Sequence, residues 1–377
     1  MKFMLTEEQR SIQRAANEFA KGEFDDDNIL ELLQGDRFPE KIWKKACKLG
    51  FVGLCYPEAC GGQECSLMDH VLVVEALCRK DSSVGVALSL SDMGADLIKA
   101  LGTEDQKKRY LPRLAKGKLM SSALYADADR NDACSADHLV LQEEADVFRL
   151  NGQAQYVLNA DRAGILVVQC CGSDGNAFVV LEKETDGVTI NPQGAKLGMG
   201  MLPWYEVGFE NVRISRDAVI SGVSQMAMND FRKQQLLKTS AMYLGLGQGA
   251  YDQALTYSKQ REQFRRKLAE FQGIRHKLVD MYTAVTATRS LVYHCGELME
   301  KGQIDLADLT VIKLQSERTA MDVTYEALQI FGGTGYMVEI PIEHYYRDAR
   351  MLQCLSGRSL FQKDRVSREI VGTIKKA

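Results

Sequence analysis

Over the first stretch of the chain, apolar residues recur at three- and four-residue steps, the spacing of one helix face. Thr6-Glu7-Glu8-Gln9 predicts a capped helix start, and Thr103-Glu104-Asp105-Gln106 has the form of a capping box that opens another helix. Residues 71–78 and 96–101 carry the same periodicity, while 50–62, with Pro57 and the Gly61-Gly62 pair, predicts a loop. Near Lys118 the pattern changes. The short apolar runs Ile165-Leu166-Val167-Val168, Phe178-Val179-Val180-Leu181 and Val188-Thr189-Ile190 predict strands, and residues 172–176 (GSDGN) predict a hairpin connection. Long helical periodicity then returns over 230–260, 274–301 and 306–331, enough to pack as a bundle. The order predicts three domains: an N-terminal α-helical domain over 1–117, a middle β-domain over 118–223 and a C-terminal α-helical bundle over 224–377.

Composition narrows the function classes. A length of 377 residues leaves room for two or three domains and an ample core. The net charge of −4, without a block of like charge, carries no nucleic-acid footprint. No apolar signal region follows Met1, and no stretch is long and apolar enough to span a bilayer, so a cytoplasmic protein without a membrane span is expected. The ten cysteines include no C-x-x-C pair, and the histidines at 70, 138, 276, 294 and 344 show no H-x-x-x-H spacing. Free thiols in a reducing compartment and no metal site are the expectation. No G-x-G-x-x-G sits in a strand–turn–helix setting, which argues against a Rossmann domain.

Several local motifs stand in a telling order. They are residues 53–62 (GLCYPEACGG), 101–111 (LGTEDQKKRYL), Arg261-x-x-Phe264 followed by Phe271-Gln272, residues 329–336 (QIFGGTGY) and 346–350 (YRDAR). Over the whole length this series resembles the acyl-CoA dehydrogenase family. The resemblance implies a mainly α fold with a central β-domain: α-helical, β-barrel-like and four-helix-bundle parts in that order. It implies FAD held between β-domain and bundle, an acyl-CoA substrate, a homotetramer, and an electron-transferring flavoprotein or similar acceptor. By the same resemblance, Arg261 would reach the FAD pyrophosphate of a neighbouring subunit, where its planar fork suits phosphate oxygens. Phe264 belongs to the same cofactor-binding segment. Gln272 and Gln329 would contact the adenosine half, and Gly332 and Gly333 would let backbone N–H groups approach closely. Read alone, Arg261 is more readily a surface helix charge and the glycines merely a helix end; the ordered series of motifs turns the reading toward FAD.

The departures from the family pattern are more informative. Where the family usually reads T-E-P-G-A-G-S-D, residues 125–132 read YADADRND, and the usual W-I-T-N is Tyr156-Val157-Leu158-Asn159. Leu158 offers no side-chain donor to the flavin. Backbone N–H groups from Leu124 through Tyr125 to Ala126 could still serve, and the Tyr156 ring could still pack on the isoalloxazine. The family's catalytic glutamate is Ser356 here. The alternative glutamate position, on the helix that opens the last domain, is Gln235, followed by Leu236. In their place Leu90-Ser91-Asp92-Met93-Gly94 carries a carboxylate in a stretch that lines the acyl pocket of relatives. Asp92 reads either as a base deep in that pocket or as the N-cap of the following helix. Asp96, one turn on, is a second candidate.

A substrate whose α,β double bond lies within a ring has no α-proton, so an α-base is useless to it. The thioester still acidifies the γ-position through the double bond. Removing that proton and releasing hydride to the flavin from the other ring carbon next to the α-carbon is a 1,4-elimination. The pattern resembles the cyclohex-1-ene-1-carboxyl-CoA dehydrogenase branch of the family. That resemblance implies cyclohexa-1,5-diene-1-carboxyl-CoA as product, with Asp92 as base and Asp92, Gln235 and Ser356 at the substrate. A conventional 1,2-dehydrogenase of another acyl-CoA and a non-catalytic flavoprotein relative are the alternatives.

Overall fold

The computed structural model describes residues 5–125, 139–172, 175–355, 357 and 359–372. Seven helices come first: α1 (Glu7–Glu23), α2 (Asp26–Gln34), α3 (Glu40–Lys48), α4 (Leu67–Lys80), α5 (Ser82–Leu90), α6 (Met93–Leu101) and α7 (Glu104–Ala115). The Thr6 and Thr103 capping boxes both form. Ser66 and Asp69 make a third, at the start of α4. The sheet follows, with β1 (Ser121–Leu124), β2 (Leu139–Glu143), β3 (Phe148–Leu158), β4 (Ile165–Gly172), β5 (Gly175–Glu182), β6 (Val188–Pro192), β7 (Trp204–Ile214) and β8 (Val219–Ile220). Its strand order is β6-β7-β3-β2-β4-β5-β8, with β1 parallel to β4 off this path. Gly172 pairs with Gly175 as expected for the hairpin, whose residues 173 and 174 lie outside the described residues.

The C-terminal part holds α8 (Gln225–Gln260), α9 (Gln272–Glu300), α10 (Leu306–Phe331), α11 (Ile342–Leu355) and α12 (Ser359–Val371). A short hairpin, β9 (Glu262–Gln263) and β10 (Arg266–Lys267), joins α8 to α9. Helix α8 starts five residues before the apolar periodicity does. The Ser224 hydroxyl accepts the Ala227 N–H at 3.1 Å and caps a polar first turn that no apolar spacing marks.

Two features place the helices on the sheet. Strand β4 is buried from Ile165 to Cys170 because both of its faces are covered. Leu166, Val168 and Cys170 join one core within the sheet domain; Ile165 and Val167 join another with Leu97 and Ile98 of α6 and Leu111 of α7. Burying each such side chain is worth about 1.5–3 kcal/mol, so α6 is held firmly against the sheet. The second feature is a buried polar staple. Asp348 of α11 accepts hydrogen bonds from Ser82 Oγ (2.7 Å), Ser83 Oγ (2.5 Å) and the Met199 N–H (2.6 Å), linking both helical parts to the loop before β7. Beside it His344 Nε2 lies 2.9 Å from Asp81 Oδ2, while Asp81 Oδ1 caps α5 through the Val84 N–H. Here the YRDAR motif serves packing: Arg347 pairs with Glu343 and donates to the Leu197 carbonyl at 2.9 Å.

Candidate active site

Asp92 stands at the N-cap position of α6 yet its side chain caps nothing, which corrects the capping alternative. The Ser121 hydroxyl of β1 does that work, accepting the Ala95 N–H at 2.9 Å. Strand and helix meet so closely that a Cβ on Gly94 would fall 2.8 Å from the Ser121 Cβ. With the cap supplied from outside, the Asp92 carboxylate turns to α8. Lys238 Nζ donates to Asp92 Oδ1 at 2.8 Å and to Asp96 Oδ2 at 2.9 Å. Gln235 Nε2 donates to the same Asp96 oxygen at 3.2 Å. Asp92 and Asp96 share a face of α6 at i, i+4; Gln235 and Lys238 share a face of α8 at i, i+3. The two candidate carboxylates and the non-ionisable Gln235 are therefore brought together.

One cation serves two anions here, and the charges divide unequally. Burial and the Asp96 charge push the Asp92 carboxyl up to about 6, against the pull of Lys238. Burial also opposes ionisation of Asp96, but the Lys238 ammonium, with Lys99 nearby, outweighs it and holds Asp96 below the usual carboxylate range. Lys238 is raised, because the two carboxylates outweigh its burial. Among the described residues Lys238 is the one side chain that donates to Asp92, and the residue's own backbone N–H adds a weaker pull. Asp92 is thus a buried carboxyl raised to about 6 and held by a single neighbouring side chain.

Lys238 escaped the sequence reading. Its only signal is a charge inside the run Leu236 to Leu244, where a buried lysine demands an anionic partner. One turn before Gln235 on the same face of α8, Arg232 lines a cavity of about 700 Å³ between the first turns of α8 and α10 and helix α12. Lys233, Arg365 and Arg368 add cationic side chains to its wall and Asp230, Asp305, Asp364 and Glu369 add carboxylates, Lys233 pairing with Asp230 and Arg368 with Asp364.

The expected cofactor residues fall in two places. On the sheet, Leu124 is buried at the end of β1, and Tyr125 packs edge-on against Phe231 with centroids 5.5 Å apart. Leu158 ends β3, where its carbonyl accepts the Ser122 hydroxyl at 2.6 Å. Tyr156 sits in a β3 irregularity with φ 61°, its ring 56% exposed beside Trp204 at 4.9 Å. At one end of the bundle, Arg261 follows α8 and exposes a guanidinium that makes no ion pair or hydrogen bond among the described residues. Phe264, at the tip of the β9–β10 hairpin, is 87% exposed with φ 52°. Gln272 opens α9, and Gln329 lies in the last turn of α10, beside the stacked Tyr257 and Phe331 rings. Gly332 holds φ 61° and ψ −143°, which a side chain would strain, and a Cβ on Gly332 or Gly333 would meet only open space. An unpaired guanidinium, exposed rings and an open glycine backbone fit a large anionic, aromatic cofactor. Ser356 lies outside the described residues. Among the described residues no group of three or more His, Cys, Asp or Glu is placed to hold a metal, and no helix is long and apolar enough to cross a membrane.

The chain is similar to known proteins over most of its length. Residues 6–118 match the profile described as acyl-CoA dehydrogenase, N-terminal domain, and residues 225–371 that of acyl-CoA dehydrogenase, C-terminal domain. A short-chain-specific acyl-CoA dehydrogenase of Clostridium acetobutylicum is 31% identical, over 98% of this chain and 100% of its own. An acryloyl-CoA reductase (NADH) of Anaerotignum propionicum is 29% identical over 98% of this chain and 96% of its own. The structure of butyryl-CoA dehydrogenase from Megasphaera elsdenii superposes with a TM-score of 0.90 at 26% identity, over 98% of this chain and 100% of that one.

Proposed function

Since the chain belongs to the acyl-CoA dehydrogenase family and is an FAD-dependent oxidoreductase acting on CH–CH groups, we propose that it dehydrogenates a cyclic α,β-unsaturated acyl-CoA. The substrate in this reading is cyclohex-1-ene-1-carboxyl-CoA and the product cyclohexa-1,5-diene-1-carboxyl-CoA, formed by 1,4-elimination. The observation that carries it is Asp92: buried, excused from helix capping, titrating near 6, in a chain whose Gln235 and Ser356 cannot ionise at the usual base positions.

Asp92 Oδ2 takes the proton from the γ-carbon of the ring. A base with a pKa near the working pH combines an ionised resting form with useful basicity. Desolvation strengthens it further, and the Lys238 tether on Oδ1 limits its rotation. FAD, when bound, accepts the hydride equivalent that leaves with the second electron pair. Arg261, Gln272, Gln329, Gly332 and Gly333 would hold its nucleotide half, with Phe264 beside them; Leu124, Tyr125, Tyr156 and Leu158 would face its ring system. In this reading the nucleotide end of the thioester enters the cavity of about 700 Å³, where Arg232, Lys233, Arg365 and Arg368 offer donors to phosphates beside the carboxylates of Asp230, Asp305, Asp364 and Glu369. From Arg232 to Lys238 is six residues of α8, roughly 9 Å of helix, a span that leads from this cavity toward the aspartates. In the same reading, Gln235 and Ser356 touch the acyl part, and the enzyme works as a cytoplasmic homotetramer. An electron-transferring flavoprotein or similar carrier reoxidises it.

Anaerobic titration of the yellow protein with a panel of CoA esters tests the proposal. Bleaching of the flavin band by cyclohex-1-ene-1-carboxyl-CoA, with a product two hydrogens lighter, is expected. Bleaching by saturated straight-chain esters instead would show an ordinary 1,2-dehydrogenase. No bleaching by any ester would leave a non-catalytic flavoprotein.

A further inference from the structure

Lys238 is 4% exposed, and its ammonium has no part in removing the proton or accepting the hydride. It nevertheless contacts both carboxylates, at 2.8 Å and 2.9 Å. Resting on the reading of Asp92 as base, we propose that Lys238 is the positioning residue that singles out Asp92 over Asp96 as proton acceptor. It tethers Asp92 through Oδ1, leaving Oδ2 to react, and it compensates Asp96, which therefore stays ionised.

The geometry is asymmetric in the required way. Asp96 Oδ2 receives two side-chain donors, Lys238 and Gln235, whereas Asp92 receives one, Lys238, besides a weaker pull from its own backbone N–H. A carboxylate with more donors gives up its charge last. The remaining groups that face the pair cannot take over the titration. From α6 there is the Lys99 ammonium; from α4, His70, pushed down to about 3 by burial and Lys238. From α3 and the loop after it come Cys47 and Cys55, pushed up to about 12 by burial, and Tyr56, raised well above its usual value. Across the neutral range only Asp92 changes charge within this cluster. When Asp92 takes the substrate proton, the trio of Asp92, Asp96 and Lys238 passes from one net negative charge to none, and the lysine keeps its own proton throughout.

Without the lysine, two buried carboxylates would share one proton, as close like charges do. Lys238→Met is expected to move the acid limb of kcat/KM upward by at least about one pH unit. It should also lower kcat at pH 7 on the order of 10²-fold, with KM and flavin content little changed. The double variant Lys238→Met/Asp96→Asn, which leaves a single carboxylate, should return the limb toward its original position without recovering the full rate, because the Oδ1 tether is still missing. Lys238→Arg should keep the limb and lose at least about tenfold in kcat, since the planar fork cannot reproduce the point-charge geometry. A Lys238→Met enzyme with an unmoved limb and normal kcat overturns the proposal. If that variant does not fold, wild-type kcat in both the double variant and Lys238→Arg overturns it equally. Asp92→Asn with near-normal turnover would instead refute the assignment of the base itself, so the two failures are told apart.

Discussion

Two buried lysines on long helices invite comparison. Lys313 of α10 is 0% exposed and donates to Glu317 Oε2 at 2.7 Å and Gln362 Oε1 at 2.9 Å. Glu317 Oε1 in turn accepts Gln353 Nε2 at 2.8 Å and Ser359 Oγ at 2.6 Å. Among the described residues this lysine meets one carboxylate, both of whose oxygens are engaged, and the Lys313 charge overcomes burial to hold Glu317 below its usual value. Lys238 meets two anions, leaves one of them short of donors, and that one rises. The first arrangement joins α10, α11 and α12; the second keeps a carboxyl ready to change charge. The difference lies in the count of charges and donors and in depth, since the Glu317 carboxylate is less deeply enclosed than that of Asp92.

The comparison can be broken most forcefully at Asp92. Asp92→Asn should keep FAD and lose on the order of 10²–10⁴-fold in kcat; single-turnover rates on flavin-loaded enzyme measure it, and a loss under tenfold would place the base elsewhere. Next comes Lys313→Met, which strands Glu317 and should cost about 3–5 kcal/mol in urea unfolding while leaving the acid limb of the rate profile in place. A smaller effect follows from proton linkage. The folded-state pKa of Asp92 lies above its unfolded value, so its contribution to stability is present at low pH and is lost as pH rises toward and through about 6. Glu317 has the opposite sign: its contribution is present above the unfolded value and is lost as pH falls through the depressed one. Between pH 7 and pH 5 the wild type should therefore gain about 1 kcal/mol relative to Asp92→Asn; parallel urea curves for the two proteins would contradict this. The smallest expected change is in Asp96→Asn, where loss of the like charge should move the acid limb of kcat/KM downward by less than about one pH unit. An upward movement would mean that Asp96 helps, and does not hinder, ionisation of its neighbour.

Local chemistry was readable wherever one segment settles its own structure. The Thr6 and Thr103 boxes, the strand around Ile165 to Val168 and the helix ending at Phe331 all follow from residues within a turn or a strand of each other. The start of α8 was less visible, because a serine cap and a polar first turn leave no apolar rhythm. The pairing of Asp92 with Lys238 spans 146 residues, and no one-dimensional spacing encodes it. Nor does spacing reveal that Ser121, from another part of the chain, would release Asp92 from capping. The YRDAR motif carries part of the family resemblance, and its Asp348 and Arg347 hold helices and a loop together. A motif can mark a family through the packing it performs as readily as through the ligand it touches.

The helix bearing Asp92 begins on a hydroxyl that belongs to the first strand of the sheet. A chimera that grafts these helices onto a relative's sheet at the junction near residue 118 would therefore inherit the aspartate without the acceptor that frees it. Unless the donor sheet also presents a hydroxyl at the place of Ser121, the orphaned amide at the start of α6 would compete for the carboxylate, and the graft would turn a proton acceptor back into a helix cap.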